Sequence, residues 1–236
     1  MARTRAQDYD AKRLAILHRS AELFAQYGYS GASITMIADA CGVSKALLYH
    51  YYPDKEAVLF DILSNHLEEL IDETEAAARK ETDPAERLYA IANALLEAYR
   101  DADAEHQIQI ANLKLLPKER QETLRAMERS LVKLFAHAIA EAAPEIGDGP
   151  LLKPMTMSLF GMLNWHYLWF RDGKGLTRAQ YARMATRLVI SGAGAVTAAA
   201  IPGESDAPPK APARSAPAAL ATNAPKTARK RAAKSR

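Results

Sequence analysis

One cysteine, Cys41, is all that the 236 residues contain, so no disulfide can close within the chain and a thiolate metal site lacks its ligands. No apolar run reaches the roughly twenty residues that a membrane-spanning helix needs. Residues 1–10 are polar and lack the apolar stretch of a secretory signal, so the expected address is cytoplasmic. Catalytic signatures are missing as well: there is no Gly-rich phosphate loop, no His-Glu-x-x-His pair and no serine elbow. His18 with Glu22 and His66 with Glu69 fall at helical spacing, but such pairs ordinarily stand on solvated faces. No catalytic residue, metal or cofactor is expected, and a helical enzyme stands only as an alternative of a different class.

Most of the chain also lacks positive charge. Residues 204–236 hold eight Lys or Arg against two acids, so the formal net charge of +3 for the whole chain leaves the preceding part acidic. A folded part coated with basic residues is thereby excluded, and any DNA affinity there has to come from a local arrangement. Residues 202–236 are Ala, Pro, Lys and Arg with almost no large apolar side chain, which reads as a disordered basic tail. Such a tail solubilises or adds salt-sensitive nonspecific DNA affinity. The second role keeps a nonspecific DNA-associated protein among the alternatives.

What the chain does have is helical periodicity. Apolar residues recur at helical spacing from Ala11 to Tyr27, and Gly28 stops the run. Ser33 suits the N-cap of a short second helix ending near Ala40, Cys41-Gly42-Val43 reads as a turn, and Ser44 suits the cap of a third. Pro53 suits a first helical position, opening a long fourth helix from Asp54 to about Arg79. Asp83-Pro84-Ala85-Glu86 combines N-cap, first-turn proline and capping-box acid for a helix to about Arg100. Further helices are expected over 105–113, 117–143, 151–170 and 177–200, the last opened by a Thr177/Gln180 capping box. With no alternating strand pattern and only short connections, the fold class is all-α, with about nine helices. The expected organisation is a flexible basic arm over 1–10, a three-helix helix-turn-helix domain over 11–57, a helical ligand-binding and dimerisation domain over 58–201, and the tail.

Residues Ile34 to Tyr52 read as helix-turn-helix, with Ile37 and Val43 apolar, Ala38 small where helices cross, and Gly42 free to take the turn's backbone angle. The stretch Ile37-Ala38-Asp39-Ala40-Cys41-Gly42-Val43-Ser44-Lys45-Ala46-Leu47-Leu48-Tyr49-His50-Tyr51-Tyr52-Pro53-Asp54-Lys55-Glu56-Ala57-Val58-Leu59 resembles the signature of the tetracycline-repressor (TetR) family. Tyr52 departs from it, since the family usually has phenylalanine there. The resemblance implies a dimeric bacterial transcription regulator that reads an inverted repeat, associates with the nucleoid through its DNA, and senses a small molecule with its C-terminal domain.

A recognition helix opening at Ser44 sets Lys45, Ala46, Leu47, Tyr49 and His50 along or beside the groove and turns Val43 and Leu48 inward. Lys45 and His50 can donate to base edges, and Ala46 and Leu47 can touch thymine methyls. Ser33, Ser44, Tyr49 and Lys55 are candidates for phosphate contacts, which fix register without reading sequence. Arg3 and Arg5 either form a minor-groove arm or are simply unstructured.

The last two long helices are where the family usually dimerises. Gly161 lies in one and Ser191-Gly192-Ala193-Gly194-Ala195 in the other, and small side chains there let backbones approach, within one chain or between two. The stretch from Leu159 to Phe170 is apolar nearly all round and resembles TetR proteins that control fatty-acid, steroid or phenylacetate degradation and respond to acyl-coenzyme A thioesters. Met157, Phe160, Asn164, Trp165, His166 and Trp169 are accordingly the candidate pocket residues for an apolar effector. Control of an efflux or stress gene by a hydrophobic drug-like ligand is the alternative within the same family.

Overall fold

The computed structural model describes residues 2–100 and 102–196, and every regular element within them is helical. The basic tail expected over 202–236 lies outside the described residues. Three helices form the head: α1 (Ala2–Gly31), α2 (Ile34–Ala40) and α3 (Lys45–Tyr51). The α1 backbone is already helical from Ala2, where the sequence suggests a flexible arm. Ala2, Arg3, Arg5, Ala6 and Gln7 all favour helix, and neither Gly nor Pro interrupts them. At the far end Gly28 adopts φ 73° and ψ 157°, a region open only to glycine, and one further turn follows. Ser33 and Ser44 cap α2 and α3 as expected, accepting from the amides of Met36 and Leu47 at 3.2 and 3.1 Å. Gly42 turns the chain between them at φ 63°. Ile16, Phe24, Ile37, Ala38 and Leu48 bury the head's apolar faces against one another.

The fourth helix, α4 (Lys55–Lys80), begins two residues later than a first-position proline at 53 suggests. Asp54 in extended backbone accepts from the Ala57 amide at 2.7 Å, so it is the N-cap and Pro53 stands outside the helix. A side-chain acceptor satisfies an orphan amide directly, which outweighs the weaker fit of proline to a first turn.

The body continues with α5 (Pro84–Ala98), α6 (Asp103–Asn112), a 3₁₀ turn over Leu113–Leu115, α7 (Lys118–Ala142), α8 (Leu152–Asn164), the single turn α9 (His166–Trp169) and α10 (Arg178–Ala193). Asp83 caps α5 through the Glu86 amide. The Glu86 side chain, expected to close a capping box, instead pairs with Arg183 of α10. The Thr177/Gln180 capping box is complete. Helix α4 packs on α5 and α7, α5 on α10, and α1 on α6. Leu67, Leu88, Leu95, Phe135, Leu159 and Ala182 are among the fully buried side chains between them.

One long helix was expected over 151–170, and here the structure differs. The chain breaks at Trp165 (φ −87°, ψ 0°). Two carbonyls that would have received amides of the next turn are taken by side chains from other helices: Met162 O by the Tyr181 hydroxyl at 2.9 Å and Asn164 O by His106 Nε2 at 3.0 Å. Tertiary donors thus stop a helix that its own apolar pattern would continue.

The head is fastened to α4 by a half-buried carboxylate. Asp61 accepts from Arg13 Nε at 2.9 Å and from the Tyr52 hydroxyl at 2.7 Å, so α1, the end of α3 and the first turns of α4 share an acceptor. Burial and the bond to Asp61 push the Tyr52 phenol well above its ordinary range, and it stays a donor. The departure from the family's phenylalanine therefore has a structural use. Tyr52→Phe should lower stability by about 1.5–3 kcal/mol, the net worth of a hydrogen bond to a charged group. Urea unfolding checks this: a lower midpoint with unchanged slope is expected, and an unchanged midpoint would show that Arg13 alone suffices.

Candidate functional site

Short helix α3 has two unlike faces. Leu48 is completely buried and Val43, just before the helix, packs partly buried on the core. Lys45, Ala46, Tyr49 and His50 stand exposed, as do the capping residues Ser33 and Ser44. Leu47 is half-buried and shares a surface hollow with Cys41 and Val43, so it presents only part of its side chain outward. Tyr51 is held from the side by stacking on Tyr9, with ring centroids 4.6 Å apart. Cys41 is half-buried, and burial pushes its thiol upward, which keeps it protonated and unreactive.

Lys55 departs from its expected place. Its ammonium donates to the carbonyls of Tyr29 and Ala32 at 2.6 and 2.8 Å and lies 4.4 Å from the Tyr29 ring centroid. Two of its three donors thus satisfy carbonyls where α1 gives way to α2. The side chain braces the head rather than standing free for phosphate.

A second candidate site lies in the body, a cavity of about 350 Å³. Leu67 and Leu70 of α4, Leu131 and Val132 of α7, and Phe160 of α8 supply its apolar wall. Met157 and Asn164 also line it, the former half-exposed. Trp165, His166 and Trp169 are not among its lining residues. The break at Trp165 redirects the following turn, leaving Trp165 and Trp169 more than half exposed and packing His166 against Phe170, 4.5 Å between centroids.

The other polar groups of the cavity are Tyr99, His106, Gln109, Lys114 and Glu128, none of which stands out in the sequence as a pocket residue. Their hydrogen bonds fix a pattern. The Tyr99 hydroxyl donates to Asn164 Oδ1 at 3.0 Å. His106 Nε2 meets the Asn164 carbonyl, which can only accept, so the proton sits on Nε2 and Nδ1 is left as an acceptor. Gln109 Nε2 donates to Glu128 Oε1 at 3.1 Å. His106 Nδ1 and Gln109 Oε1 are both buried without a protein partner. Two unmet acceptors therefore lie buried in the wall of the cavity, next to its apolar side.

On the outside of the body, Trp165, Leu168 and Trp169 of the α8–α9 segment and Leu188 and Met184 of α10 are exposed. A Cβ placed on Gly161 or Gly192 would meet nothing within 4 Å, so neither glycine is required by packing within the chain.

An exposed short helix set by a turn on a three-helix head, joined to a helical body with its own cavity, defines a helix-turn-helix DNA-binding regulator. Residues 16–62 match the model of bacterial regulatory proteins of the tetR family, and residues 81–193 match the tetracyclin repressor-like C-terminal domain. The chain belongs to the TetR family. A TetR-family transcriptional regulator from Bordetella parapertussis superposes with a TM-score of 0.71 at 30% identity, over 80% of this chain and 97% of that one. AibR, solved in complex with isovaleryl coenzyme A and operator DNA, superposes at 0.66 with 26% identity, over 76% and 98%. The transcriptional repressor KstR2 of Rhodococcus jostii is 26% identical over 77% of this chain and 90% of its own length. The chain spans only 40% and 30% of the length of two other regulators that it resembles at 33% and 38% identity. No helix among the described residues is long and apolar enough to cross a membrane.

Two buried histidines give the fold a pH dependence. Burial lowers His106, and lowers His66 to about 3, with the nearby His106 adding to the effect. Unfolded, each takes a proton near its ordinary value of 6.5, while the folded chain refuses it, so stability is complete above about pH 6.5 and falls below it. Each such group costs up to about 1.4 kcal/mol per pH unit, or about 2 kcal/mol for His66 between pH 6.5 and 5. Urea titrations at pH 7 and 5 should show this loss, and His66→Gln should reduce it. A stability that is flat over this range would contradict the buried, neutral state of both rings.

Proposed function

We propose that the protein is a transcription repressor that binds an inverted-repeat operator as a homodimer and leaves it when an acyl-coenzyme A thioester occupies the body cavity. The observation that carries the DNA half is the outward face of α3: a base-edge donor at Lys45, a methyl at Ala46, and Tyr49 and His50 one turn on, all exposed. Ser33 and Ser44 each cap an exposed helix N-terminus, suited to phosphate, and Tyr49 adds a hydroxyl. Lys55 acts here by holding α1 and α2 in place.

A second copy is the natural cover for the exposed apolar side chains of α8, α9 and α10. Trp165, Leu168, Trp169 and Leu188 are costly to leave in water, and Gly161 and Gly192 leave room for a partner's backbone. Two-fold pairing through this surface yields two recognition helices and hence an inverted repeat.

Three features support a thioester as effector. The apolar wall suits an acyl chain. The unmet acceptors His106 Nδ1 and Gln109 Oε1 suit amide N–H groups, which the pantetheine arm carries. The cavity also adjoins an open groove on α7 lined by Arg125, Arg129 and Lys133, and Glu128 and Val132 belong to both. That groove supplies cations for phosphates that no sequence motif announces. AibR, similar over three quarters of this chain, was solved with such a thioester.

Calorimetric titration with a series of acyl-coenzyme A thioesters, isovaleryl and phenylacetyl among them, should show saturable binding and release of a bound operator. Replacing Arg125, Arg129 and Lys133 together by Ala should weaken the thioesters at least about tenfold and leave the matching acyl-pantetheine unchanged. Absence of heat and of operator release across the series would overturn the thioester reading.

A further inference from the structure

We propose that the cleft between α1 of the head and α4, α5 and α6 of the body is a second binding site, for a small aliphatic amine in its ammonium form. The cleft holds about 330 Å³, separate in its lining from the body cavity. One side is apolar, from Leu14 and Leu17 of α1, Ile62 of α4 and Ala98 of α5. The other carries three carboxylates, Glu69, Glu97 and Glu105.

Positive charge near those carboxylates is sparse. Glu97 is paired with Arg100, and Glu105 Oε1 lies 3.3 Å from Nδ1 of the exposed His18. Glu105 Oε2 is buried without a hydrogen-bond partner. The Glu69 carboxyl is pushed up by burial and by its neighbours Glu73 and Glu105, as expected where negative charge outruns its compensation.

A separate observation points to a ligand. His66, only 3% exposed, lines the same cleft, and its Nε2 is buried with no partner. A buried ring nitrogen left unmet carries a desolvation cost that an incoming polar group removes. An ammonium group offers three donors for the Glu69 and Glu105 carboxylates and the His66 ring, which turn toward it from the wall, and the cleft's Leu14 and Ile62 suit its alkyl chain. No group of His, Cys, Asp and Glu among the described residues is arranged to hold a metal ion, so an organic cation fits better than an inorganic one.

The position gives such a site a role. His66 faces this cleft and Tyr99 and His106 face the body cavity, yet the His66 ring centroid is 6.0 Å from that of Tyr99 and 6.2 Å from that of His106. The two sites share one aromatic partition, and the amine site touches the helix that carries the head.

The test needs neither DNA nor thioester, so its outcome is independent of the proposed repressor function. The full chain is titrated calorimetrically at constant ionic strength with n-butylamine and n-hexylamine hydrochlorides, and with 1-butanol and 1-hexanol as neutral counterparts. Saturable binding of an amine is expected, at least about tenfold tighter than the alcohol of equal length and weakened at least about tenfold by Glu105→Gln. The alcohol comparison uses the unaltered protein and stands even if the variant folds poorly. No saturable amine binding, equal binding of the alcohol, or a loss on Glu128→Gln that Glu105→Gln does not produce would overturn the proposal, the last by moving the amine to the body cavity.

Discussion

A single helix carries one continuous apolar core from the head into the body, and the arrangement of the molecule follows from it. Helix α4 runs for 26 residues, about 39 Å at the usual rise. Its first turns bury Val58 and hold Asp61 against Arg13 and Tyr52 of the head, and its later turns bury Leu67 and Leu70 in the wall of the body cavity. Glu56 at its start is also tied to Arg120 of α7 at 3.0 Å. Because a helix transmits displacement along its axis far better than a loop does, head and body cannot be treated as beads on a string. The boundary at residues 57 and 58 suggested by the sequence falls inside the first turn of α4, with no linker at that point.

Helix α6 supplies a second connection. His106 and Gln109 face the cavity, while Glu105 of the same helix faces the cleft beside α1 and meets His18. A ligand that satisfies the two unmet acceptors acts on an element already in contact with the head. In the proposed function this is the physical content of induction: the effector must bind one placement of the head better than another, and operator DNA must weaken effector binding by the same factor.

The legibility of the sequence was uneven, for reasons tied to range. Caps and turns are local chemistry, so Ser33, Ser44, Asp83, Thr177 and Gly42 could be placed from neighbours three residues away. The inward face of α3 followed from spacing in the same way. What the sequence does not show is decided elsewhere in the chain. The break at Trp165 depends on Tyr181 and His106, the commitment of Lys55 on carbonyls more than twenty residues earlier, and the diversion of Glu86 on Arg183. Trp165, His166 and Trp169 reach the pocket only if the helix is unbroken, as its apolar pattern implies. Tyr99, His106 and Gln109 were missed because one polar residue on a helix reads as solvent-facing until another helix covers it.

The central claim is that the exposed face of α3 reads a specific duplex. Its most direct test is fluorescence anisotropy at fixed salt, comparing DNA from beside the protein's own gene with a scrambled duplex of equal length. The account predicts a preference of about a thousandfold or more for the genuine sequence, and its collapse toward the scrambled value when Lys45 and His50 are both changed to Ala. Equal affinity for the two duplexes, or a preference untouched by those changes, would contradict it.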